Sequence, residues 1–303
     1  MMKMRDSIRA QARARRIFYI GAAVVILVYI LGPIYWVLAS SIQAERALWQ
    51  RPPDFVPVPA NWTLDHYRFM FTGEIQETST VMLQAMYEAS GLLVAPAILN
   101  SLIVASVTTI INLAVGLPAA HVFARQRFFA DKAVFLALIA TRLLPSISLV
   151  VAMYVLLRTF GLLDTRSALI LIYTAITLPF TIWILRAYFS NIPAEFEEAA
   201  RLDGCSYPRI LRRIVVPLAK PGLFAVAILT FMTCYGEFIY ATILTTSIDS
   251  QTQTVVIAQL ARGLSVSRGL VAAAASLAML PPLLIALVFY RQIIRGLTTR
   301  LGL

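Results

Sequence analysis

The sequence predicts an all-α integral membrane protein with six transmembrane helices and both termini in the cytoplasm. Three observations carry this. Hydrophobic residues make up 59% of the 303, and mean hydropathy is +0.78, well above the roughly 45–50% apolar content of a soluble domain. Six apolar runs each approach or exceed the roughly 20 residues that span about 30 Å of hydrocarbon at about 1.5 Å per residue. The 26 Lys and Arg divide unevenly between the two faces that these runs define: 17 lie on the side of the termini, seven on the other, and Arg142 and Arg186 fall within helices. Excess Lys and Arg mark the cytoplasmic side.

Residues 1–16, MMKMRDSIRAQARARR, form a basic cytoplasmic tail. The apolar run from Ile17 to about Ser40 follows a signal peptide's order, and Ala39 and Ser41 imitate a cleavage site. It is too long for a 7–15 residue signal core, so it reads as a retained first helix. Residues 41–98 are polar and Pro-rich, with six acids against Arg46, Arg51 and Arg68, and form the first outer loop. Within it Val81, Met82, Ala85, Met86 and Leu93 recur at helical spacing and predict an outer amphipathic helix in the segment 74–91. The triplet Asn61-Trp62-Thr63 reads as a chance match to a glycosylation site. Five more spans are expected at about Leu99–Ala124, Ala133–Leu157, Ser167–Ala187, Leu223–Leu244 and Leu270–Tyr290, completing a membrane domain over 17–290; residues 291–303 form a second cytoplasmic tail.

Composition also excludes functions. A net charge of +11 raises the question of nucleic acid, but its placement in loops beside apolar spans points to the lipid bilayer and to no nucleic acid. Cys205 and Cys234 form no CxxC and have no His at ligand spacing, so neither a disulfide framework nor a metal site is expected. His66 and His121 read as surface or helix-end residues. Lys3, Lys132 and Lys220 are the lysines, and none closes a G-x-x-x-x-G-K-[ST] loop, so any ATP is bound by another polypeptide and no cofactor is expected on this chain. Clustered His, Cys or carboxylates for an enzyme are lacking. Glu237 is the one acid within a span, which argues against an ion-driven transporter with intramembrane carboxylates.

One strongly polar stretch lies between spans: IPAEFEEAARLDGCSYPRILRRIVVPLAKPG, from Ile192 to Gly222, with the hairpin proper over 192–217. Pro193 suits the first turn of a helix, where Glu195, Glu197 and Glu198 place negative charge at its positive end. Ala199 and Ala200 allow a partner surface to approach the backbone, and Gly204 can turn the chain into an Arg-rich helix from Tyr207. An amphipathic loop lying on the headgroups is the bland alternative. Glu198-Ala199-Ala200, three residues, Asp203 then Gly204 closing them, nine residues, and Ile214-Val215-Val216-Pro217 resemble the EAA loop of ABC importer permeases, with Val216 in place of Leu.

Other motifs follow in the order found in the MalG-like permeases of carbohydrate-uptake, binding-protein-dependent ABC importers: SSIQAERALW after the first span, NSLIVAS from Asn100, AHVFARQRF from Ala120, LLPSISLV from Leu143, GLLDT from Gly161, LPFTIWILRAYF from Leu178 and YGEF from Tyr235. The resemblance covers about residues 17–297 and implies a type I ABC importer permease fold. It also implies a cytoplasmic coupling helix at Glu198, Ala199, Ala200, Asp203, Gly204 and Pro217. The implied partners are a second, MalF-like permease, two ABC ATPase subunits holding ATP and Mg, and an extracytoplasmic solute-binding protein, all at the cytoplasmic (inner) membrane of a bacterium or archaeon. Two departures stand out: Tyr235-Gly236-Glu237-Phe238 where Trp-Asn-Glu-Phe is frequent, and the ending GLTTRLGL, which puts a tail contact by Arg300–Leu303 with the ATPase in doubt.

Pro145 and Pro179 remove backbone donors in mid-membrane, where the freed carbonyls need protein or a watered cavity. They are expected, with Tyr235 and Glu237, to line a translocation path. Arg142 falls near the bilayer midplane, where a charge costs at least about 2.5–3.5 kcal/mol. Two partners are open for it: an ion pair with Glu237, or an anionic group on the solute. The solute itself stays open between a carbohydrate or glycoside and a polyol, glycerol phosphodiester or polyamine.

Overall fold

The computed structural model describes residues 2–51, 55–73, 91–262 and 267–298, with 2–14 and 291–298 given by their backbone course alone. The segment 74–90, Asp54 and Arg300–Leu303 lie outside the described residues, and with them the expected outer amphipathic helix and the tail contact. The described chain is helical. Among the described residues the only extended pairing is one isolated antiparallel bridge, Gln43 with Trp62.

Two units are distinguished. The first comprises residues 1–91 and 260–277. Helix α1 (Met2–Ser41) supplies its apolar rod, and Ile17, Val25 and Tyr29 are 71%, 69% and 82% exposed. Such a surface suits hydrocarbon and not water. Beyond α1 the chain is pinned by Ala44 N to Asn61 O (2.8 Å) and Thr63 N to Ile42 O (2.9 Å), around the short α2 (Glu45–Leu48) and α3 (Asp65–Thr72). The Glu45 carboxylate accepts from Ser267 Oγ (2.8 Å) and from the backbone N–H of Arg268 (2.9 Å) and Gly269 (3.0 Å). His66, expected at a surface or a helix end, is in the first turn of α3 but buried, and bonds Gln43 O at 2.9 Å; a Cβ on Gly269 would collide with its ring.

The second unit, 92–259 and 278–303, carries the remaining helices. These are α4 (Val94–Arg125), α5 (Asp131–Ala140), α6 (Ser146–Thr159), α7 (Arg166–Ser190), α8 (Glu195–Leu202), α9 (Tyr207–Ile210), α10 (Val216–Leu218), α11 (Lys220–Tyr235), α12 (Ile239–Leu244), α13 (Gln253–Leu260) and α14 (Arg268–Thr298), the last beginning in the first unit. The α4–α7 pair forms its centre. Gly116 leaves no room for a side chain against Thr181, and Asn112 Nδ2 donates to Thr177 Oγ1 at 2.8 Å. Small residues and buried amides hold helices together where lipid offers no hydrophobic drive.

Among the described residues, four helices are long and apolar enough to cross a membrane, or up to six if each of two bent pairs is one span. The expected third span is one such pair: α5 and the turn Thr141–Leu143 meet α6 at 97°. Leu144 and Pro145 are both extended there (ψ 128°), Leu144 because the ring of Pro145 disfavours helical backbone before it. The other pair is Tyr207–Leu218 with α11, bent by 82°. The expected fifth span, Leu223–Leu244, is not continuous, since α11 ends at Tyr235 and α12 starts at Ile239.

Candidate functional site

The polar stretch folds as the expected hairpin. Helix α8 begins just after Pro193 and Ala194, with Glu195, Glu197 and Glu198 in its first turn. At its end Gly204 adopts φ +78°; its N–H bonds Arg201 O (3.0 Å) and the N–H of Cys205 bonds Ala200 O (2.9 Å). This is a Schellman closure, which satisfies two carbonyls that would otherwise end the helix unpaired. The chain then re-enters through α9, a π-helical stretch Leu211–Val215, and α10, where Pro217 is exposed.

The two faces of α8 differ. Glu198, Ala199 and Asp203 point outward together with Phe196 (53% exposed) and Leu202 (90%). Ala200 turns inward and packs in a buried cluster with Ile210, Val215 and Phe189. Of the paired alanines, then, only Ala199 has its methyl exposed. Phe196 and Leu202 were not singled out from the sequence, although apolar residues at 196, 199 and 202 recur at the spacing of one helix face.

Glu197 is 2% exposed and anchors the hairpin. Its Oε1 accepts from Arg125 Nε at 2.8 Å, and its Oε2 lies 3.0 Å from His121 Nε2. A carboxylate only accepts, so Nε2 of His121 carries the proton, and in the neutral ring Nδ1 then accepts from the Tyr207 hydroxyl at 2.8 Å. Arg125 also donates to Ile192 O at 2.6 Å. The C-terminal end of α4 thus grips both limbs of the hairpin. His121, expected at a surface or a helix end, is fully buried near the end of α4.

The expected path residues separate into two groups. Arg142 is exposed; it donates to Ile176 O at 3.1 Å and lies over the Phe180 ring at 5.4 Å, beside the buried Pro179. Glu237 instead accepts from the Tyr173 hydroxyl (2.7 Å) and from the N–H of Tyr240 (3.0 Å) and Ala241 (3.1 Å), so its carboxylate starts α12. The Arg142–Glu237 ion pair is therefore not formed: each group is already engaged by a different set of partners. Tyr240 hydroxyl donates to Ser146 O at 3.2 Å, which joins the break at Glu237 to the break at Pro145. Tyr235 is buried and donates to Ala278 O at 3.0 Å.

Residues 112–299 match the family model described as the binding-protein-dependent transport system inner membrane component, more than half of the chain. The chain belongs to this family. This permease is 32% identical over 289 residues to the trehalose transport system permease protein SugB of Mycobacterium tuberculosis, covering 94% of this chain and 97% of that one. It is 31% identical over 287 residues to the trehalose/maltose transport system permease protein MalG of Thermococcus litoralis, covering 94% and 95%. Among solved structures it resembles a bacterial ABC transporter involved in the import of the acidic polysaccharide alginate, with a TM-score of 0.74 and 23% identity over 93% of this chain and 98% of that one. The last likeness establishes the type I importer permease fold. A permease of this family is a membrane subunit without enzymatic activity, and ATP hydrolysis resides in a separate subunit.

Proposed function

We propose that this chain is one permease half of an ATP-driven importer that carries a carbohydrate or glycoside across the cytoplasmic membrane by alternating access. It pairs with a second, MalF-like permease, two ABC ATPases that bind ATP and Mg, and an extracytoplasmic binding protein. In this reading six spans keep both termini and the hairpin on one side, and the excess of Lys and Arg there assigns that side to the cytoplasm, where ATP is available. The observation that carries the reading is the hairpin itself: an outward face of Phe196, Glu198, Ala199 and Leu202 on a helix whose opposite face is fastened by Glu197. A groove in the ATPase receives that face, together with the exposed Asp203, Gly204 and Pro217. Identity of about one third to carriers named for trehalose and maltose supports the carbohydrate class.

Arg142, Pro145, Pro179, Tyr235 and Glu237 belong to the path in this reading. Arg142 presents its remaining guanidinium donors to an anionic group on the solute, a carboxylate, sulfonate or phosphate. Glu237 contributes by holding the break between α11 and α12. The test is reconstitution in proteoliposomes with the partner subunits and a solute-loaded binding protein. ATP-dependent uptake of a neutral or anionic glycoside is expected; uptake that proceeds without ATP, driven by an ion gradient, would overturn the reading.

A further inference from the structure

Two motifs have no part in the site as described so far, NSLIVAS in the second turn of α4 and beyond and GLLDT before α7. Both converge on the loop 245–252 and the first residue of α13, Gln253. Asn100 is 1% exposed, and its Nδ2 donates to Ile248 O and Gln251 O, each at 2.9 Å. Ser101 Oγ accepts from Gln253 N at 2.9 Å. Asp164 accepts from Thr246 N (2.7 Å), Ser247 N (2.9 Å) and the Ser250 hydroxyl, and Arg166 Nε donates to Asp249 O at 2.7 Å.

We propose that α4 and α7 act as one lever, and that Asn100, Asp164, His121, Arg125 and Glu197 are positioning residues fastening it to the loop at one end and to the hairpin at the other. The proposal rests on the reading of the hairpin as the element that faces the ATPase. Between the two ends the pair is tied at mid-length by Asn112 and Thr177 and by the close approach of Gly116 to Thr181. A close-packed interface of this kind deforms little, so the pair moves as a body. Asn100 and His121 stand 21 residues apart on α4, which sets the arm at roughly 32 Å. Displacement of the hairpin then reaches the opposite end of the unit through rigid helices with bonded termini, the physical form that long-range coupling requires.

The experiment uses the assembled transporter, with both permeases, the ATPases and the binding protein, in a background where Cys205 and Cys234 are replaced by Ser. Spin labels at Leu202→Cys and Ile248→Cys, both exposed positions, are each measured against a label at Tyr29→Cys on α1. A non-hydrolysable ATP analogue is expected to shift both distances. In Glu197→Gln the Leu202 shift is expected to persist while the Ile248 shift falls to half or less. Asn100→Ala, at the far end, is expected to do the same, and it carries the test if Glu197→Gln fails to assemble. Wild-type shifts at Ile248 in both variants would overturn the lever, as would an unmoved Ile248 beside a moving Leu202 in the parent. An unmoved Leu202 in the parent would remove the ATPase-facing reading itself, and the lever with it.

Discussion

The Glu197 carboxylate lies 2.8 Å from the Arg125 guanidinium, 72 residues earlier in the chain, with both side chains at least mostly buried (3% and 13% exposed). A buried ion pair is weak evidence for stability by itself, but removing one partner strands a charge and typically costs about 3–5 kcal/mol. Arg125→Ala is therefore expected to destabilise the purified permease far more than Arg201→Ala on the exposed side of the hairpin. Thermal unfolding in detergent, followed by size-exclusion chromatography, measures it. Equal midpoints for the two variants would remove the anchor role.

A side chain at Gly204 would meet open space, yet the backbone there has a φ of +78°. Left-handed backbone costs roughly 1–2 kcal/mol for an ordinary residue, and Asn tolerates it better. Gly204→Val should loosen the hairpin and lower co-purification with the ATPase, whereas Gly204→Asn should retain most of it. The double variant Gly204→Asp, Glu198→Lys goes further and is expected to insert in the membrane yet lose uptake. Normal assembly and uptake in it would sink the coupling assignment.

Asp164 is pulled two ways. Burial alone would raise its carboxyl, but the Ser250 hydroxyl and the N–H groups of Thr246 and Ser247 outweigh that and hold its pKa well below the usual carboxylate range. A depressed folded pKa contributes stability that is present above the unfolded value of about 3.9 and is lost as pH falls through the folded value. Amide hydrogen exchange at Thr246 and Ser247 should thus stay protected from neutral pH down to about pH 4 and rise only in stronger acid. Asp164→Asn should raise it at neutral pH, and unchanged exchange there would contradict the clamp.

With Glu237 committed to Tyr173 and the start of α12, the exchange Arg142→Glu with Glu237→Arg should not restore uptake, because each swapped charge would lack its partner. Arg142→Gln should abolish uptake of an anionic glycoside while sparing a neutral analogue and ATPase coupling. Full transport of the anionic solute by Arg142→Leu would refute a role in reading it.

Cysteine labelling tests the six-span topology. In a background lacking Cys205 and Cys234, positions Arg127 and Arg209 should label from the cytoplasm and positions Asp54 and Asp164 from outside. Labelling of position 209 from outside would reject the arrangement.

The sequence alone determined the features that depend on neighbours along the chain. Partition of an apolar run into lipid follows from its length and composition, so the expected first, second, fourth and last spans correspond to apolar helical stretches at Arg15–Ser41, Val94–Arg125, Arg166–Ser190 and Arg268–Tyr290, although α1 and α14 extend as helix beyond them. A Pro disfavours helical backbone at the residue before it, so the break at Pro145 was legible, although Pro179 sits inside an unbroken α7; the turn at Gly204 between two short helices was legible too. Tertiary structure decided which polar groups meet. His121 and Glu197 are 76 residues apart, and nothing in their local spacing distinguishes a helix-end His and one Glu among several from a buried pair. Glu237 and Arg142 looked like partners because both lie in mid-span, yet Glu237 is taken by backbone N–H groups that a helix break leaves unpaired. Pattern along one chain specifies which face is apolar; which donor finds a buried carboxylate depends on how separate helices pack, and only the assembled fold sets that distance.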